Sequence, residues 1–182
     1  HVAAREKLGL GRQPLILGEQ VHGSEVVLVT ENNVDHLSKQ IVTGVDGFVT
    51  GLTNVTIGIH VADCAAVFIV DPVKKVIGLV HSGKKGSELG ITGAAIRMMR
   101  EKFGSIPSDL VIQVSPCIRP PAYEIDFAGT IREDTARNGV PEEQINDEET
   151  CTSRDLKRYY SYRKEKGKTG RMLALLSWID TP

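Results

Sequence analysis

Asp63 and Cys64 interrupt an apolar, β-rich run that extends from Ile57 to Asp71. A buried strand has little use for an acid beside a thiol, because an unpaired carboxylate in apolar surroundings is strongly destabilising. The pair therefore marks a strand end or the floor of a cleft. A second apolar run, from Val76 to Val80, ends on His81, Ser82 and Gly83. Upstream, the stretch Gln20, Val21, His22, Gly23 places another histidine at a glycine turn. We expect His22, Cys64 and His81 to meet at one site. Two imidazoles and a thiolate are three of the four ligands of an open tetrahedral zinc. They are equally the parts of a Cys–His nucleophile pair. A zinc ion in such a set lowers the pKa of water toward ~7, and a metal or imidazolium beside Cys64 makes its thiolate accessible at neutral pH. Asp63 would orient a ligand or act as a base.

The bland alternatives differ residue by residue. Free cysteine is among the most buried residue types, and a strand-end histidine often does no more than bond backbone. His81, however, leads into a glycine-bounded turn with Lys84 and Lys85, where backbone can approach a ligand closely. A helix beginning near Ser87 would add its N-terminus to an anion site there. The lysines then suit phosphate; otherwise they are a solvated turn. His1 and His36 offer less, and His60 is placed to support Asp63 and Cys64. Residues 154–171 are basic and carry Tyr159, Tyr160 and Tyr162. Aromatics among cations can stack nucleobases, but the expected state is a helix and an exposed hairpin, with one local patch able to bind a phosphate.

The elements that must position these groups are short. Strands are expected at 15–17, 26–29, 48–50, 55–59, 65–70, 76–80, 110–114 and 171–178. The 26–29 strand is apolar enough for burial on both faces. Asp71-Pro-Val-Lys-Lys75 reads as a hairpin loop. Helices are expected at the end of 3–8, at 87–103 and at 128–138. In the second, Leu89, Ile96, Met99 and Phe103 form one stripe, and Gly104 stops it. Prolines make 115–121 a rigid loop. Many short strands without regular alternation with helices predict an α+β fold of layered mixed β-sheets flanked by helices.

The 182 residues, 41% of them hydrophobic, suit a single domain over 1–182. The sequence opens on His1 rather than Met, which leaves room for a further N-terminal strand. A formal net charge of -1 argues against a general nucleic-acid binder. No run of ~18 apolar residues is present to span a membrane, and no secretion signal opens the sequence. Three widely spaced cysteines without C-x-x-C fit a reduced, cytoplasmic setting. Oligomeric state is not legible.

As an ordered set these motifs resemble the laccase-domain family, whose members carry the names polyphenol oxidase, purine nucleoside phosphorylase and peptidoglycan editing factor. The likeness runs through Gln20 to Gly23, Val45-Asp-Gly-Phe-Val-Thr50, Ala62-Asp-Cys64, His81-Ser-Gly83 and Ser115-Pro-Cys-Ile118. It continues through Tyr123-Glu-Ile125, Cys151-Thr152, Ser161-Tyr-Arg163 and Gly170-Arg171. The resemblance implies a layered fold like that of a Cys–His deamidase toxin domain. It implies a zinc site of His22, Cys64 and His81, with Gln20, Lys84, Lys85, Tyr123 and Arg163 around the substrate. It also implies phosphorolysis of purine nucleosides and deamination of adenosine. Where the family has His-Ala-Gly-Trp-Arg-Gly, this chain has lysine at 84 and 85, which gives up bidentate phosphate geometry. The 124–151 segment is short and lacks an expected helix motif, so a pocket wall would be open or supplied by a partner chain. Two rivals remain: a metal-free Cys–His hydrolase, for example on a cell-wall precursor, and a non-catalytic zinc-binding protein. Multicopper chemistry is disfavoured, since such sites use about ten histidines in His-x-His pairs and this sequence has five and no such pair.

Overall fold

The structure, a computed structural model, describes residues 2–179. In chain order the elements are α1 (Val2–Lys7), β1 (Leu15–Gly18), β2 (Val26–Val29), α2 (Val34–Leu37), β3 (Ile41–Val42), β4 (Gly47–Thr50), β5 (Thr56–Val61), β6 (Ala65–Asp71) and β7 (Val76–Ser82). There follow α3 (Lys84–Glu88), α4 (Ile91–Phe103), β8 (Val111–Val114), α5 (Phe127–Arg137), β9 (Ile145–Asp147) and β10 (Met172–Ser177). The strands form a four-stranded sheet of order β10-β5-β1-β3 and a six-stranded sheet of order β2-β4-β7-β6-β8-β9. Both are mixed. β1 runs parallel to β3 and β5, while β10 is antiparallel to β5. The fold is thus α+β with two mixed sheets flanked by helices, as the sequence predicts. Among the described residues no helix is long and apolar enough to cross a membrane.

Two apolar cores follow from the strand pattern. Ile16, Phe48, Ile57, Ile59, Ala66, Ile77 and Leu79 fill the space between the sheets. Val49, Val67, Ile69 and Val80, on the outer face of the larger sheet, pack against Ile91, Ala95, Ile96 and Met99 of α4 and Phe127 and Ile131 of α5. β7 lies between these cores and is buried along its whole length, as expected of a strand covered on both faces. Truncating Leu79, which is fully buried, to alanine should cost about 2–5 kcal/mol. β2, read as buried on both faces, is an edge strand whose Val27 and Leu28 are only partly covered.

The β6–β7 hairpin forms as predicted, with Asp71 opposite Val76. Asp71 Oδ1 accepts the Val73 and Lys74 N–H groups at 2.9 Å each, which closes the turn. The helix expected at 87–103 is instead two. Gly90 adopts φ +69 and breaks it between α3 and α4. Left-handed backbone suits glycine, and the buried Asp134 of α5 accepts the Gly93 N–H at 2.8 Å to cap the second piece. Leu89 consequently leaves the apolar stripe and is 50% exposed. The helix expected at 128–138 forms as α5, with the Asp126 carboxylate accepting the Gly129 N–H at 3.0 Å. Residues 154–171 form neither the helix nor the hairpin expected of them but a succession of turns. Side chains hold them in place: Glu165 accepts the Ser161 N–H at 2.9 Å and also bonds the Thr169 hydroxyl. No apolar stripe is available there to bury as a helix face.

Candidate active site

His22, Cys64 and His81 reach one place from three elements. Cys64 occupies the short link between β5 and β6, at the end of the apolar run. His81 is the penultimate residue of β7, and pairing of β6 with β7 sets it opposite Ala66. His22 lies in the loop between β1 and β2. The ligand atoms of the three residues all lie within 4.8 Å of one another. The two imidazoles meet edge to face, with centroids 4.8 Å apart.

Asp46 holds this arrangement together. It is fully buried just ahead of β4. Its Oδ1 accepts the His22 N–H at 2.9 Å and the His81 Nδ1–H at 2.8 Å. Its Oδ2 accepts the N–H groups of Val21 and Gly23 at 3.1 and 2.8 Å. The clamp explains how His22 keeps φ +60, a conformation that costs a non-glycine residue about 1–3 kcal/mol unless its surroundings impose it. With Nδ1 bound to Asp46, Nε2 is the nitrogen His81 has left to offer. Sequence reading saw only a glycine turn at 44–47. The signal it passed over was an acid beside apolar Val45 and Phe48, the same oddity that singled out Asp63.

The charges are strongly coupled. Burial raises the Cys64 thiol's pKa, but hydrogen bonds from His22 and His81 outweigh it, and the net is a fall from 9.0 to about 7. Burial lowers that of His81, but its bonds to Asp46 and Cys64 raise it from 6.5 to about 9. Without a metal these contacts favour the thiolate of Cys64 beside the imidazolium of His81. Two imidazole nitrogens and a thiolate, with a carboxylate fixing one imidazole from behind, are a donor set that fits zinc. These residues could hold a metal ion, and a Cβ on Gly83 would collide with the Cys64 sulfur, so the turn after His81 is shaped around the thiolate.

Asp63 is buried, as an acid on a cleft floor must be when it is paired. Its Oδ1 accepts the Thr152 hydroxyl at 2.7 Å and its Oδ2 the Arg163 N–H at 2.9 Å. Both bonds tie the 151–163 stretch to the Cys64 turn. Gln20 is similarly engaged: its amide donates to the His60 carbonyl and accepts the His60 N–H, both at 2.7 Å.

Above the three residues opens a cavity of about 840 Å³. Gln20, Asp63, Lys84, Lys85, Tyr123 and Arg163, all singled out from sequence, line it. His60, Phe127, Tyr162 and Arg171 line it too, although sequence reading gave them little or no role. The 124–151 segment does not leave the wall bare, since Phe127 of α5 stands beside Tyr123 with ring centroids 6.1 Å apart. His36 sits on α2, bonded to Gln40, and His1 lies outside the described residues.

Residues 2–128 and 123–179 match the family described as multi-copper polyphenol oxidoreductase laccase, and the chain belongs to that laccase-domain family. It is 28% identical over 191 residues to the protein named purine nucleoside phosphorylase YlmD of Geobacillus stearothermophilus, covering 87% of this chain and 70% of that one. To the Bacillus subtilis protein of the same name it is 29% identical over 196 residues, covering 90% and 70%. The crystal structure of the Geobacillus YlmD superposes with a TM-score of 0.89 at 27% identity, over 98% of this chain and 78% of the other. The Bacillus licheniformis protein YfiH shares the fold, with a TM-score of 0.87 at 23% identity over 97% and 79%.

Proposed function

We propose that this protein is a zinc-dependent purine nucleoside phosphorylase that also deaminates adenosine, acting in a cytoplasmic setting. The observation that supports it most is the convergence of His22, Cys64 and His81 on the floor of a cavity rimmed by lysines. The names carried by the relatives supply the substrate class. His22, Cys64 and His81 would hold the zinc, which when bound supplies Lewis acidity at the floor of the cavity. Lys85, with Lys84 beside it, holds phosphate as a point charge rather than by a fork. Tyr123 and Phe127 offer aromatic surface to the purine. Asp63 orients the Arg163 stretch that forms the facing wall. Phosphorolysis then asks the chain to place a phosphate oxygen in line with the sugar's anomeric carbon as the purine leaves.

One observation favours a second reading. Cys64, His81 and Asp46 are linked in the order of a nucleophile, a base and an orienting carboxylate, the pattern of a Cys–His hydrolase. Elemental analysis of the purified protein, alongside inosine-plus-phosphate and adenosine assays, separates the two. About one zinc per chain, with both activities abolished by chelation and restored by zinc, is the expected result. A metal-free preparation whose activity survives chelation would replace it with the hydrolase. Zinc present with neither activity would leave a non-catalytic zinc-binding protein.

A further inference from the structure

The cavity carries more positive charge than a neutral nucleoside and one phosphate require. Lys84, Lys85, Arg163 and Arg171 all line it. Two of these cations are engaged: Arg163 bonds Glu124 at 2.8 Å, and Lys84 lies near the same carboxylate. The other two are open. Among the described residues, neither Lys85 nor Arg171 pairs with an acid. One is enough for inorganic phosphate, and nothing in a neutral nucleoside answers the second.

Arg171 is held at the rim by the sheet. It immediately precedes β10, whose Met172 pairs with Val61 at the end of β5, beside the link that carries Asp63 and Cys64. Its Nη1 donates to the Gly170 carbonyl at 2.9 Å, and the guanidinium lies 5.4 Å from the centre of the Tyr162 ring. Among the described residues its other donors make no hydrogen bond. The neighbouring His60 has its pKa lowered, by burial first and by the charge of Arg171 second, so this wall is electropositive. A guanidinium fixed in this way suits a phosphoryl group, which it can grip through two parallel N–H bonds. At about 840 Å³ the cavity lies toward the upper end of the range for ligand pockets.

We infer that the nucleoside substrate is itself phosphorylated: the site takes a purine nucleoside 5′-monophosphate, its phosphoryl group on Arg171, while inorganic phosphate occupies Lys85. This rests on the phosphorolysis reading above. An oxygen of inorganic phosphate bonds to C1′ and the C1′–N9 bond breaks. Its electron pair goes to the purine, which takes up a proton from solvent. The products are the free base and a pentose carrying two phosphates.

The test compares inosine with inosine 5′-monophosphate on the metal-loaded protein, both by equilibrium binding and by phosphorolysis. The monophosphate should bind at least about tenfold more tightly, the low end for contacts to a charged group, and be turned over with a correspondingly lower KM. Arg171→Gln should close that gap, and Arg171→Lys should restore part of it. A purely structural Arg171 would instead weaken both ligands together in Arg171→Gln and overturn the assignment. Turnover of inosine with no preference for the monophosphate would also overturn it, while leaving the phosphorylase reading intact. If neither compound is turned over, that reading fails and the phosphorolytic step with it, and binding alone decides the site: an Arg171-dependent preference for the monophosphate sustains the phosphoryl site on Arg171, and its absence ends it.

Discussion

Asp46→Asn changes one buried oxygen to an NH2 group, and the hydrogen bonds around it define the consequence. Each carboxylate oxygen accepts from two donors: Val21 and Gly23 on one, His22 and His81 on the other. The amide nitrogen must face one of these pairs, donor against donor. Two bonds to a charged acceptor are lost in either orientation, at roughly 1.5–3 kcal/mol apiece. Val21 is 48% exposed, and water can replace part of what its N–H loses. We therefore expect about 3 kcal/mol of destabilisation in the metal-free protein. If the nitrogen faces His81, the imidazole can regain a bond only by presenting Nδ1 as an acceptor, so that Nε2 carries the proton and is a poorer ligand. Zinc affinity should fall about 10–100-fold, the usual effect of removing a carboxylate that orients a metal-binding histidine. The checks are urea unfolding of chelated protein and zinc competition against a chromophoric chelator. Parental stability within about 0.5 kcal/mol together with unchanged zinc affinity would refute the clamp.

The same substitution has a pH signature. Burial raises the Asp46 pKa, but bonds from His81, Gly23 and Val21 prevail and hold it below 3.8. A carboxyl with a depressed native pKa contributes stability that is fully present above its unfolded value and is lost as pH falls through the native one. The parent should therefore lose its advantage over Asp46→Asn below about pH 3.8, and the two unfolding curves should converge there.

In chelated protein, alkylation of Cys64 should rise through a midpoint at about pH 7. Cys117 is fully buried and pushed up to about 12, so it should stay unlabelled; zinc should slow the Cys64 reaction, and a midpoint near 9.0 would refute the imidazole contacts. Lys85→Ala should raise the KM for phosphate by about tenfold, a contact of ~1.4 kcal/mol, and affect adenosine deamination less. Equal losses in both would assign Lys85 to folding or to the nucleoside. Thr152→Val removes the hydroxyl that donates to Asp63 and should cost about 1–3 kcal/mol. Its pH–rate profile should keep the parental shape. A changed profile shape would make Asp63 a participant in the reaction rather than a positioning residue.

The parts of this molecule legible in its sequence are those fixed by neighbours in the chain. Apolar runs located eight of the strands but not the short β3 and β9, and the proline turn after Asp71 located the β6–β7 hairpin. The Asp63–Cys64 interruption located the floor of the cavity, because an acid and a thiol inside a β-rich run need partners that the run itself lacks. What stayed hidden depends on partners far away. Asp63 bonds the backbone of Arg163, 100 residues on, and β10 lies beside β5 although most of the chain separates them. No local pattern encodes either pairing, so Tyr162 and Arg171 read as a solvated basic stretch. Asp46 was within reach, since an isolated acid between Val45 and Phe48 poses the same problem as Asp63.

These long-range bonds also explain why the basic stretch takes its shape without a helix or a hairpin of its own. Asp63 receives one donor from Thr152 and one from Arg163. The residues between them are thereby anchored at both ends to the turn that carries Cys64. Glu165 fixes the bend that follows through Ser161 and Thr169, and the chain then enters β10 with Arg171 at the cavity rim. The carboxylate of the residue next to Cys64 thus anchors the opposite wall. It follows that the position of the cationic wall and the position of Cys64 are not independent. A substitution that loosens one should be felt at the other, and a double-mutant cycle between Thr152→Val and Arg171→Gln should show coupling of at least about 0.5 kcal/mol in monophosphate binding. Strict additivity would mean that the two walls are held separately.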